Sequence, residues 1–151
     1  MNLVKLFLLS SLVLAFVACD SDSSSNSDNN SSSSSSKEYD CTMTAEGVKV
    51  LAPEGGETFS IGDTITVVFG ANYANAGGFH VYYKADVDSN RVDLFAGSVG
   101  PEGPDGSECY EVTAILSADM GVIASDNAFI RVEAYNWGVI RGDSKTFTVK
   151  E

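Results

Sequence analysis

Residues 41–151 predict an antiparallel β-sandwich of about seven strands, on three observations. Apolar residues recur at every second position in run after run, clusters of Gly, Asn, Asp and Pro separate the runs, and no window beyond Glu46 holds helical apolar spacing over three turns. Val48 and Val50 open the first run. In "TITVVFG", Ile65, Val67 and Phe69 share one face; in "FHVYYK", Phe79, Val81 and Tyr83 oppose His80, Tyr82 and Lys84. Val92 and Leu94 follow a polar turn. Val112 in "YEVTAIL", Ile130 and Val132 in "AFIRVEAYNW", and Phe147 and Val149 in "KTFTVK" continue the period of two, and all these inward positions are the expected core. "SADMGVIA" reads as one short helical turn.

Before this region the composition changes twice. Met1 to Ala18, "MNLVKLFLLSSLVLAFVA", has one lysine near its start, an apolar run and a small residue at its end, the layout of a secretory signal peptide (1–18) and too short for a comfortable membrane-spanning helix. Between Ser21 and Ser36, 11 of 16 residues are serine and the rest Asp or Asn, so the segment has no apolar surface to bury against the entropy of ordering. Residues 19–40 therefore read as a tether, and a flexible coil of about 20 residues spans on the order of 25 Å. About 110 residues remain for one domain, close to the commonest domain size.

Cys19 sits at the border between leader and tether, where three readings compete: lipidation, a disulfide partner, or an inert thiol at the edge of an ordinary signal peptide. Phe16-Val17-Ala18-Cys19 resembles the lipobox of bacterial lipoproteins, and the resemblance implies a diacylglycerol on the sulfur of Cys19 and a new N-terminus there after cleavage. An anchor of two or three acyl chains, each buried methylene contributing about 0.8 kcal/mol, holds a protein on a bilayer far longer than one chain does. The partner so implied is a bacterial membrane, and the location the cell envelope, with the domain facing periplasm or exterior. With Cys19 lipidated, the other two of three cysteines, Cys41 and Cys109, are left as an even pair in an oxidising compartment, and a disulfide between them is expected. Two free buried thiols are the alternative.

Charge narrows the partners. The chain carries 21 Asp and Glu against 9 Lys and Arg, a net −12. Such a surface repels nucleic acid, whose binding rests on Lys and Arg displacing phosphate counterions.

"VKVLAPEGGETFSIGDTITVVF" is similar to the opening of the immunoglobulin-like domain of bacterial Pro-x-Gly-Gly-Glu surface repeats and of the Ser/Thr-rich GPI-anchored cell-wall protein family. Pro53, Gly55, Gly56, Glu57, Gly62 and Asp63 carry the match, and Ile130, Arg131, Val132, Ser144 and Phe147 resemble the family's last two strands. The resemblance spans Val48 to Val149. It implies an immunoglobulin- or fibronectin-III-like sandwich in an extracellular or cell-wall module with no known catalytic residues.

Candidate chemistry is sparse. His80 is the only histidine; no Gly-x-Ser-x-Gly accompanies it, zinc spacing is absent, and its place on the polar face of a strand predicts a solvated residue. "DVDSNRVD" sets Asp86, Asp88, Asn90 and Asp93 in an acidic turn that begins like a calcium loop. An EF-hand then requires Gly and Glu where Arg91 and Gly97 stand, so a hairpin turn explains the stretch better and no cofactor is expected. Arg141-Gly142-Asp143 reads as a turn before the last strand rather than an adhesion motif. Strand alternation turns Tyr135 and Trp137 outward, with Tyr82 expected beside them, and exposed aromatics of this kind stack on sugars or anchor a protein contact. The expectation is a lipid-anchored, non-catalytic envelope module that binds polysaccharide, wall polymer or an envelope protein. The alternative is a small glycoside hydrolase pairing Glu111 with Glu133.

Overall fold

The computed structural model describes residues 37–95, 97–136 and 138–151. The leader, Cys19, the serine tract and Trp137 lie outside the described residues. Among the described residues nine strands form two sheets: β1 (Gly47–Ala52), β2 (Thr58–Ser60), β3 (Thr64–Asn72), β4 (Phe79–Lys84), β5 (Arg91–Asp93), β6 (Asp105–Ile115), β7 (Ser125–Ala134), β8 (Arg141–Asp143) and β9 (Phe147–Lys150). The small sheet has the order β1-β3-β6. The large sheet runs β2-β9-β7-β4-β5, with β8 also paired to β7. All pairs are antiparallel except β2 with β9. This order is that of an immunoglobulin-like sandwich. The expected short helical turn is a 3-10 turn at Ala118–Met120.

Every inward residue predicted from alternation lies in the core or packs against it. Phe69 of β3 meets Phe79 of β4 across the sandwich, ring centroids 5.4 Å apart and edge to face, so the two sheets are joined by aromatic contact as well as aliphatic burial.

The two strands beyond the expected seven are three-residue elements that the sequence presents as turns. β2 exists because the turn before it is closed tightly. Gly55 and Gly56 take φ of +98° and +84°, which L side chains rarely adopt, and the Glu57 carboxylate accepts from the backbone N–H groups of Glu54 (2.6 Å) and Gly55 (2.7 Å). Gly56 then donates to Thr146 and Thr148 donates to Glu57, which lays β2 parallel to β9. β8 contains Arg141-Gly142-Asp143, so that tripeptide is a strand paired with β7 and not a turn.

Residues 39–43 cross the outer face of the small sheet as a strap. Cys41 forms the expected disulfide with Cys109 of β6, Cα atoms 5.2 Å apart. The strap passes so close to β3 that a Cβ on Gly70 would collide with the Cys41 carbonyl. Tyr39, Cys41, Leu51 and Ala52 pack over Val68, which would otherwise be an exposed outward residue.

Candidate functional site: the outer face of the large sheet

Alternation and register build this face. On β4, Phe79, Val81 and Tyr83 go into the core, which sends His80, Tyr82 and Lys84 outward. On β7, Ile130, Val132 and Ala134 go in and Arg131 and Glu133 go out, and Tyr135 follows directly after the strand as an exposed residue. Register then sets His80 against Glu133, Tyr82 against Arg131 and Asp93, Lys84 against Arg91, and Glu133 against Arg141 on the far side.

Four groups stack in a row. The Arg91 guanidinium lies 4.7 Å from the centre of the Tyr82 ring. His80 also stacks on Tyr82, at 5.3 Å, and Tyr135 stacks on His80 at 4.8 Å. Tyr82 is packed by both Arg91 and His80 and only 7% exposed, so it is the foundation of the row and not the exposed contact predicted for it. Burial pushes its hydroxyl pKa above the usual tyrosine value, with Arg91 opposing. Tyr135 ends the row and is 54% exposed. Of the aromatics predicted to face outward, Tyr135 is the one found exposed, and Trp137 lies outside the described residues.

The charged groups interlock around the row. Arg131 donates two hydrogen bonds of 2.7 Å to Asp143, and this bidentate pairing raises the arginine pKa further. Arg91 donates to Glu133 at 3.1 Å. His80 Nδ1 lies 3.1 Å from one Asp93 oxygen, and the other accepts from the Phe95 N–H at 3.0 Å. His80 is therefore neither freely solvated nor a lone polar residue: it joins an aromatic stack to a carboxylate. Lys84 is 8% exposed and spends its ammonium on the Val87 carbonyl at 2.9 Å.

The remaining candidates fall elsewhere. Asp86 accepts from the N–H groups of Asp88 and Ser89, which makes the acidic stretch a hairpin turn, whereas Asp93 points its carboxylate at His80. Among the described residues no three His, Cys, Asp or Glu converge as a metal site would require. Asp143 is held by Arg131, and a Cβ on Gly142 would strike the Val48 carbonyl, so packing accounts for both residues. Glu111 pairs in register with Val68 on the outer face of the small sheet, and Glu133 lies on the outer face of the large one. The sandwich stands between these two carboxylates, so they do not form a pair.

What sequence reasoning missed is the clustering of arginines. Arg91, Arg131 and Arg141 are all the arginines of the chain, and all three lie on this face. Alternation alone shows Arg131 facing away from Ile130 and Val132, but that β5, β4, β7 and β8 lie side by side is a property of the topology. No family model matches the chain, and no curated protein matches it. Among the described residues no helix is long and apolar enough to cross a membrane.

Proposed function

We propose that this chain is a lipid-anchored, non-catalytic module of the bacterial cell envelope whose large-sheet outer face binds polysaccharide or wall polymer. An envelope protein is the alternative occupant of the same face. The observation that carries the reading is the Arg91–Tyr82–His80–Tyr135 row, ending in an exposed tyrosine and flanked by hydrogen-bonding charged groups. Sugar rings stack on such aromatics while their hydroxyls bond to the polar side chains around them. The lipobox-like Phe16-Val17-Ala18-Cys19 and the serine tract supply anchor and tether, and the similarity to bacterial surface repeats and to the Ser/Thr-rich GPI-anchored cell-wall family points to the same location. The strap enters over the small sheet, so the proposed binding face is the outer face it leaves uncovered.

The test is depletion of the full-length protein, in mild detergent, by a panel of insoluble polysaccharides and purified cell wall, beside the Tyr135→Ala, Trp137→Ala double variant. Depletion by at least one polymer that the double variant loses is expected. Unchanged depletion by the variant rejects this face as the site. Labelled palmitate should enter the wild type and not Cys19→Ser; equal labelling rejects the anchor.

A further inference from the structure

We infer that the outer face of the large sheet selects carboxylated glycans, with an acidic sugar stacked on Tyr135 and its carboxylate held by Arg141. The inference rests on the glycan reading above and narrows it to one chemical class.

The chain has 21 acids against 9 bases, yet all three of its arginines converge here. The acids of this face are already engaged: Asp143 by Arg131, Glu133 by Arg91, Asp93 by His80 and the Phe95 N–H. Glu133 is the carboxylate opposite Arg141 in register, but it turns to Arg91 on the other side, its side chain only 13% exposed. Gly138 lies over it so closely that a Cβ there would come 2.6 Å from its Oε1. Arg141 is thus exposed and makes no ion pair among the described residues. A guanidinium offers a planar fork of donors that matches a carboxylate.

Position supplies the second half of the argument. Arg141 opens β8 opposite Glu133, and Tyr135 follows Ala134, the last residue of β7, at the start of the turn that leads into β8, with the Ala134 N–H still bonded to the Ile140 carbonyl. Tyr135 and Arg141 therefore flank the same turn, an exposed aromatic residue at one end and an exposed guanidinium at the other. Charge elsewhere on the molecule repels polyanions, so binding to one has to come from this face and not from general attraction.

Affinity electrophoresis of the full-length protein through gels holding polygalacturonate, or its fully methyl-esterified form, tests this. The two polymers share a backbone and differ in charge. Expected is retardation by the acid form at roughly tenfold lower polymer concentration than by the ester, a preference that Arg141→Ala removes while its melting temperature stays at the wild-type value. Lys145→Ala, which removes the same charge beside Glu54, should keep the preference. Equal retardation by acid and ester, or an Arg141→Ala preference like the wild type, overturns the inference and leaves glycan binding standing. Retardation by neither, together with no depletion by any polysaccharide, overturns both and leaves a protein as the occupant.

Discussion

Tyr83 is 1% exposed, and its hydroxyl donates to the Ile123 carbonyl at the end of the sandwich. Burial, with the Asp86 charge adding to it, pushes its pKa from 10 up to about 12. The folded state therefore keeps a proton that the unfolded state gives up first. The stabilisation is complete below pH 10 and is lost progressively between pH 10 and about 12, an effect on the order of 2 kcal/mol. Urea midpoints measured from pH 9 to 11.5 should fall more steeply for the wild type than for Tyr83→Phe. Parallel slopes would show that another group governs the alkaline limit. Tyr83 was legible in the sequence, since alternation assigns it to the core beside Val81. Tyr82 was not, because what buries it are His80 on its own strand and Arg91 on the next, a covering that strand periodicity does not contain.

At the scale of elements, the long strands were readable because each carries enough alternating residues to state its own face. β2 and β8, with three residues each, state nothing by themselves and exist through their neighbours. β8 and β9 pair with opposite halves of β7, and Ser144 bridges the break, its hydroxyl accepting from the Ile130 N–H at 3.0 Å. The last segment of chain is thus a broken strand, and its first half leans on β1 through Gly142. Replacing Gly142 with alanine drives a methyl into the Val48 carbonyl, where backbone cannot yield cheaply. Overpacking of this kind costs about 1–3 kcal/mol. Gly142→Ala should lower the urea midpoint without changing the slope of the transition, and a midpoint equal to the wild type would mean that β8 can move away from β1 freely. The candidate site shares this dependence on assembly. Its residues come from β5, β4, β7, β8 and the turn after β7, each legible as outward or polar, and only the strand order makes them neighbours.

For the whole molecule, the disulfide ties a strap that the two sheets do not need for their main core. Cys41 belongs to a small cluster with Ala52 and Val68, separate from the cluster that holds Phe69, Phe79, Tyr83 and Phe147 together. Its contribution is therefore mainly on the unfolded chain, where a cross-link between residues 68 apart removes loop-closure entropy amounting to about 4 kcal/mol at most. A Cys41→Ala, Cys109→Ala double variant should still fold, with a melting temperature lower by about 10 °C or more for a domain of this size. The loss should also be local in its dynamics. The Met43 N–H bonds to the Gly106 carbonyl and the Asn72 side chain to the Met43 carbonyl, so the strap keeps only a few bonds once the sulfurs are gone. Hydrogen exchange at Met43 should accelerate strongly in the variant under native conditions, while amides of β4 and β7 beneath the Tyr135 face stay protected. If exchange instead rises equally across both sheets, the strap is integral to the cooperative unit. In that case the separation between a clamped outer face and an independent binding face fails.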